Sequence, residues 1–293
     1  MTLRLRDRAF PLDGRPLLMG IVNATPDSFS DAGEHPTLED RVEHGVALLQ
    51  AGADLLDVGG ESASGHRPAV DAAAEIERVV PLIVRLTSEH GAAVSVDTYK
   101  PAVAEAAIAA GAVLVNDVSG LRDPELAAVC ARTGAGLVLM HTRIAPKGTL
   151  LDPSHYDDVV ADVAGFLRER MEVALERGVA PEQLLLDPGP DFAKTPAQTV
   201  AVLRALSGLH ALGRPLLLAV SNKDFVGAIT GRGARERLAG TLAAVAHGVE
   251  AGAAVLRVHD VAAAVDFLRV RSVLRGEIEL APQEGLTHER YPA

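Results

Sequence analysis

From Pro16 onward the chain alternates short, continuous apolar runs with longer stretches in which charged residues recur at helical spacing. Eight runs can be counted: Leu17 to Asn23, Asp54 to Val58, Ala93 to Asp97, Val113 to Asn116, Gly136 to His141, Gln183 to Asp187, Pro215 to Val220 and Ala254 to His259. The stretches Leu38 to Ala51, Val70 to His90, Pro101 to Ala110, Tyr156 to Arg177 and Arg235 to Ala251 read as helices between them. Small-residue turns such as Ala51-Gly52-Ala53 and Ala251-Gly252-Ala253 stand at helix-to-strand junctions, because glycine just past a helix end is a normal stop. Strands that are apolar throughout suit a parallel sheet covered on both faces. Eight of them, each followed by a helix, predict a single-domain (β/α)8 TIM barrel, whose usual span is ~250 residues. A doubly wound sheet would want a G-x-G-x-x-G turn after the first strand, where this chain has Asn23-Ala24-Thr25-Pro26-Asp27. Residues 1–16 read as a lead-in, 17–276 as the barrel and 277–293 as a polar tail.

Composition narrows what such a barrel could do. Of 293 residues, 48% are hydrophobic, which supplies a core and excludes global disorder. The net charge of −11, from 28 basic and 39 acidic side chains, argues against nucleic acid or an anionic membrane as partner. A phosphate group would have to be held locally, so small-molecule substrates are expected. Cys130 is the single cysteine and can form neither an intramolecular disulfide nor a zinc framework, which suits a reducing compartment. Met1 to Gly14 is charged throughout and no apolar run approaches the ~20 residues of a membrane span, so a cytoplasmic enzyme is expected.

Active sites of such barrels lie at the strand C-termini. The runs end in Asn23, Asp57, Asp97, Asn116, His141, Asp187, Ser221 with Lys223, and Arg257 with His259. An Asp or Asn after a strand commonly caps the next helix, and Asp57, followed by Gly59 and Gly60, suits such a structural role. Polar ends on all eight strands nonetheless suggest one pocket. Asp97, Asp187 and Asn116 offer acceptors and an amide donor suited to a flat heterocycle with a guanine-like edge. Arg257, His259 and Asn23 suit an anionic leaving group with a divalent cation. Met140, Phe192 and the Lys223 stem could wall the ring. Two long segments, Thr25 to Pro36 and Gly59 to Val70, are rich in Ser, Gly and Pro and read as substrate loops beside the site.

These residues, in this order, resemble the dihydropteroate synthases over roughly Leu18 to Val261. The resemblance is carried by Met19-Gly20-Ile21-Val22-Asn23-Ala24-Thr25-Pro26-Asp27-Ser28-Phe29-Ser30-Asp31, Asp57-Val58-Gly59-Gly60-Glu61-Ser62, Ser95-Val96-Asp97-Thr98 and Asn116-Asp117-Val118-Ser119-Gly120. It continues through Leu139-Met140-His141, Leu186-Asp187-Pro188-Gly189, Phe192-Ala193-Lys194-Thr195, Lys223 with Phe225 and Gly227, and Arg257-Val258-His259-Asp260. It implies transfer of a dihydropterinylmethyl group from its pyrophosphate to para-aminobenzoate. Asp97, Asn116, Asp187 and Lys223 would hold the pterin between Met140 and Phe192. Asn23, Arg67, Arg257 and His259 would hold the pyrophosphate, with Mg2+ as cofactor at Asn23, and Lys223, Arg257, His259 and Asp97 would carry the chemistry. Phe29, Ser62, Arg67, Pro68 and Asp224 would meet the acceptor, and a sulfonamide-sensitive homodimer is expected.

Three departures from the family pattern stand out. Ala63-Ser64-Gly65-His66 precede Arg67-Pro68 as an insertion, Asp191-Phe192-Ala193-Lys194 replaces a Gly-Phe-Gly-Lys stretch, and Ser221-Asn222-Lys223-Asp224 replaces a Ser-Arg-Lys-Ser type of segment. Asp224, read as a helix cap, would repel an acceptor carboxylate by about 4 kcal/mol at ~4 Å and an effective dielectric of 20. A different amine acceptor, or a pterin-binding protein without turnover, therefore stays open at this point. The related methyltetrahydrofolate-binding barrels share the pterin carboxylates but fit the Thr-Pro-Asp-Ser-Phe loop less well.

Overall fold

The computed structural model describes residues 1–24, 37–62 and 68–280. It opens with an antiparallel hairpin of β1 (Thr2–Leu5) and β2 (Arg8–Pro11). Eight parallel strands follow: β3 (Leu17–Asn23), β4 (Leu55–Gly59), β5 (Val94–Asp97), β6 (Leu114–Asp117), β7 (Gly136–Met140), β8 (Leu184–Asp187), β9 (Leu217–Leu218) and β10 (Val255–Val258). Their spatial order is β8-β7-β6-β5-β4-β3-β10-β9, and a parallel bridge from Leu186 to Leu216 joins the two ends into a nearly closed barrel. All eight expected strands are present. The seventh shrinks to two ladder residues, because Pro215 has no N–H to give and only its carbonyl pairs, with Leu186 N–H at 3.0 Å.

Around the barrel lie α1 (Leu38–Gln50), α2 (Ala72–Ser88), α3 (Pro101–Ala109), α4 (Glu125–Thr133), α5 (Val159–Glu176), α6 (Pro196–Arg204), α7 (Asp224–Thr230), α8 (Leu238–Glu250) and α9 (Val261–Leu274). Their starts follow from local chemistry. Thr37 accepts the Asp40 N–H while the Asp40 carboxylate takes the Thr37 N–H, and Thr195 and Gln198 repeat this reciprocal box at α6.

Residues 1–16, expected as a mere lead-in, seal one end of the barrel. Leu3 and Leu5 are fully buried against Leu17, Met19, Leu55, Leu185 and Val255, the inward side chains at the N-terminal ends of the strands. The alternation Thr2-Leu3-Arg4-Leu5, apolar on every second residue, is the sequence signal for this.

Although each barrel strand reads as one apolar run, its side chains alternate between two cores. Leu18, Leu56, Val94, Val96, Leu137, Leu139, Leu218 and Leu256 face the helices, whereas Leu17, Met19, Leu55, Val138, Leu185, Leu217 and Val255 face the interior. Continuing the inward parity toward the C-terminal ends reaches Asn23, Asp57, Asp97, Asn116, Met140, Asp187, Ser221, Arg257 and His259. The interior is thus apolar at one end and ionisable at the other.

Candidate active site

Parity brings the expected ring-binding residues together and removes one strand-end residue from them. Arg257 stands at the centre: its Nε donates to Asp57 Oδ2 at 2.6 Å and its Nη2 to Asp97 Oδ2 at 3.1 Å. Asn116 Nδ2 donates to the same Asp57 oxygen at 3.0 Å. Asp57, expected to be structural, is so in a specific sense: it is completely buried and orients both Arg257 and Asn116. Its other oxygen, Oδ1, is buried without a hydrogen-bond partner among the described residues.

The electrostatics of this group are set by burial and by its close charges. Burial, then the nearby Asp57 charge, pushes the Asp97 carboxyl up to about 7 against the opposing pull of Arg257. Burial likewise raises Asp187, opposed by the Gly189 N–H, which donates to its Oδ1 at 2.7 Å, and by the Lys223 charge. Lys223 is lowered by burial and held up by Asp191 and Asp187. Its Nζ lies 4.4 Å above the Phe192 ring, a cation–π distance. Asp97, Asn116, Asp187 and Lys223 therefore present acceptors and donors on adjoining strands, with Phe192 and the buried Met140 as apolar walls.

His141 ends an apolar run, but its parity is outward. Its ring packs edge-on against Phe166 at 5.0 Å, and its Nε2 pairs with Asp162 Oδ1 at 2.8 Å. Burial, reinforced by the Lys194 charge, pushes its pKa down to about 3, so the ring is neutral, with Nε2–H donating and Nδ1 accepting. The donor to Nδ1 is Lys194 Nζ at 2.7 Å, which also donates to Gly189 O at 2.9 Å and Phe192 O at 3.0 Å. Lys194 is only 1% exposed, with its pKa lowered by burial to about 7. It staples the loop that carries Phe192, a role that sequence reasoning missed because lysine is rarely a buried residue. The same loop needs Gly189 at φ +63, where a Cβ would stand 2.1 Å from His141 O.

At the mouth, Ser221 Oγ accepts the His259 backbone N–H at 3.2 Å and lies 2.9 Å from His259 Nδ1. A hydroxyl proton donated to Nδ1 leaves Nε2 as the protonated nitrogen, a donor suited to an anion. Asn23, half-buried at the end of β3, offers an amide oxygen. No cluster of three or more His, Cys, Asp or Glu able to hold a metal occurs among the described residues. This donor set suits Mg2+, which keeps several waters and takes one or two protein oxygens alongside substrate phosphates.

The acceptor-side residues are more dispersed. Phe29 and Arg67 lie outside the described residues, as do the inserted Ala63 to His66. Ser62 is half-buried and Pro68 exposed. Ser62 borders a cleft, open to solvent, that also touches Asp97, Thr98, Thr142 and Phe192. Glu61 ties down the approach: its carboxylate receives Lys100 Nζ at 2.5 Å, Lys147 Nζ at 3.2 Å, Tyr99 OH at 3.2 Å and Val70 N–H at 3.1 Å. Burial would raise Glu61, but Lys100, the Val70 N–H and Lys147 together hold it below its usual value.

Asp224 is the first residue of α7 and not its cap. Its side chain is 85% exposed, and its Oδ1 meets Arg237 Nη1 at 3.0 Å, so a guanidinium from just before α8 stands beside it. The Arg237 Nη1 also donates to Asn222 O at 2.8 Å and Lys223 O at 3.1 Å.

Residues 19–259 match the model of the family described as pterin binding enzyme. The chain is 41% identical to dihydropteroate synthase of Bacillus subtilis over 248 residues, 84% of each chain. Among solved structures, the Xanthomonas albilineans dihydropteroate synthase with 4-aminobenzoic acid is 45% identical, with a TM-score of 0.86 over 94% of this chain and 99% of that one. The Yersinia pestis dihydropteroate synthase in a sulfonamide complex is 37% identical, with a TM-score of 0.88 over 95% of this chain and 100% of that one.

Proposed function

The chain belongs to the pterin-binding enzyme family, among the dihydropteroate synthases, and from that premise we propose how its own residues divide the work. The enzyme transfers the dihydropterinylmethyl group of 6-hydroxymethyl-7,8-dihydropterin pyrophosphate to para-aminobenzoate, releasing pyrophosphate and giving dihydropteroate. The observation that carries the assignment of roles is the inward cluster in which Arg257 touches both Asp57 and Asp97.

Asp97, Asn116 and Asp187 bind the amino-pyrimidine edge of the pterin, Lys223 donates to its carbonyl side, and Met140 and Phe192 hold the ring faces. Ring N–H donors favour the charged form of Asp97, offsetting the burial that raises it. In the reaction the bond from the methylene carbon to the pyrophosphate oxygen breaks, with its electron pair leaving on the oxygen. The electron-rich ring spreads the positive charge left on carbon. Arg257 and His259 stabilise the departing oxygens, with Asn23 and Arg67 completing the anion site. The arylamine lone pair then forms the carbon–nitrogen bond and the nitrogen releases a proton. Exclusion of water favours this attack over hydrolysis. Ser62, Pro68, Phe29 and Arg67 are assigned to acceptor binding, whereas Asp224, turned to solvent and paired with Arg237, is not. Mg2+, held by Asn23 and the pyrophosphate oxygens, would neutralise leaving-group charge.

Three coarser traits belong to the same proposal. Homodimer formation is supported by exposed Ile229 of α7 with Val270 and Leu274 of α9, and light scattering would test it. Sulfonamide sensitivity follows if the acceptor site admits such mimics, and a cytoplasmic location suits the single buried thiol. The deciding experiment follows pyrophosphate release and dihydropteroate formation by purified protein, with and without para-aminobenzoate. Product at ordinary acceptor concentrations is expected. Pyrophosphate without product would point to another amine, and pterin binding with neither would mean a binder without turnover.

A further inference from the structure

Helix α7 begins at the site's own cation and cannot cap itself. Its N-cap is Lys223, with extended backbone and no side-chain bond to the helix, because the Lys223 side chain is turned to Phe192. An N-cap acceptor usually takes the N–H of the second or third helical residue. Here the second residue, Phe225, donates its N–H at 3.2 Å to Asp191 Oδ2, a carboxylate from the loop after β8. Asp191 is locked in turn: its Oδ1 accepts from Thr199 Oγ at 3.0 Å, and its own N–H donates to that buried hydroxyl at 3.0 Å. Its backbone sits at φ +65, next to Phe192 and close to Ala193 at φ +51. Glycine would hold that conformation at lower cost, so an aspartate there is retained for its side chain.

We propose that Asp191 is a positioning residue for the pterin site, capping α7 from the neighbouring loop and so fixing the turn from which Lys223 reaches over Phe192. The inference rests on the proposed assignment of Lys223 to the pterin. The charged groups acting on Lys223 are Asp187 of β8, Asp191 of the following loop, Asp224 of α7, Arg257 of β10 and the stapling Lys194. Asp187 is engaged by Gly189 N–H, and Asp224 is mostly exposed and paired to Arg237. Asp191 is thus the carboxylate that both holds the start of α7 and helps offset the burial that lowers Lys223.

The test compares wild type with Asp191→Asn, which keeps an oxygen for Phe225 N–H but loses the charge, and Asp191→Ala, which loses both. For Asp191→Asn, which can still cap α7, melting within about 2 °C of wild type and a KM for the pterin pyrophosphate within about twofold are expected. For Asp191→Ala, KM for the pterin pyrophosphate should rise roughly five- to tenfold, while KM for para-aminobenzoate stays within about twofold. An Asp191→Asn variant as impaired as Asp191→Ala, or lower melting in Asp191→Ala with no change in pterin KM, would overturn the proposal. Calorimetric binding of the pterin pyrophosphate reads the same two comparisons without turnover. Failure of the wild type to make dihydropteroate would thus count against the reaction and not against Asp191.

Discussion

The two ends of this barrel are built from the same eight strands and obey opposite rules. At the N-terminal end, inward positions such as Leu17, Met19, Leu55 and Val255 close over Leu3 and Leu5 of the hairpin, and nothing polar is asked to give up water. At the C-terminal end, two to four residues farther along the strands, the inward positions are Asp57, Asp97, Arg257 and their neighbours. Burying those groups costs free energy that their mutual pairing only partly returns. One end of the interior stabilises the fold, and the other uses that stability to keep charges dry and aimed at the substrate ring.

The largest effect that would test this division is at Arg257. Replacing it by Met should lower kcat/KM by about 10^3 or more, through loss of leaving-group stabilisation, and should also destabilise the protein by about 3 kcal/mol because Asp57 is left buried. Adding Asp57→Asn should recover much of the stability and none of the activity; recovery of turnover in steady-state assays would break the comparison. Next in size, Leu5→Ala should cost about 2–5 kcal/mol in denaturant unfolding while leaving both KM values unchanged. A changed pterin KM would mean that the two ends are mechanically coupled.

A smaller effect should appear with pH. Because burial pushes the Asp97 carboxyl up to about 7 and it must be a carboxylate to accept ring N–H groups, pterin affinity should fall as pH drops below about 7, approaching tenfold per unit. Asp97→Asn should bind more weakly at pH 8 and lose that slope in calorimetric titrations. The smallest effect belongs to Asp224→Ser. Its charge is solvent-facing and paired with Arg237, so KM for para-aminobenzoate should move by less than about fivefold. A fall of tenfold or more would show that the carboxylate faces the acceptor after all.

What could be read before any coordinates was the periodicity; what could not was parity. The eight apolar runs sufficed for the barrel, but a strand buried on both faces conceals which residues look inward. That is why His141 stood beside Asp97 and Asn116 in the reading of run ends, although it turns out toward Phe166 and Asp162. Asp57 looked ordinary because its importance lies in a partner 200 positions away, Arg257. Lys194 was visible as a letter in a matched stretch and Asp191 as part of a departure from the family pattern, yet their roles depend on carbonyls and an N–H that only the folded loop brings within reach. The hairpin was the plainest omission, since the alternation over Thr2 to Leu5 was there to be counted.

Pairing of Leu17 in β3 with Val255 in β10 has a bearing on how the molecule comes into being. Two partners separated by roughly 240 positions must find each other before the sheet has no open side, and contacts so distant in sequence form slowly. Until they do, β3 and the partly assembled sheet expose edges able to recruit another chain. A refolding experiment should therefore show fast gain of helix followed by a slow phase, and aggregation that depends on concentration should compete with that phase alone.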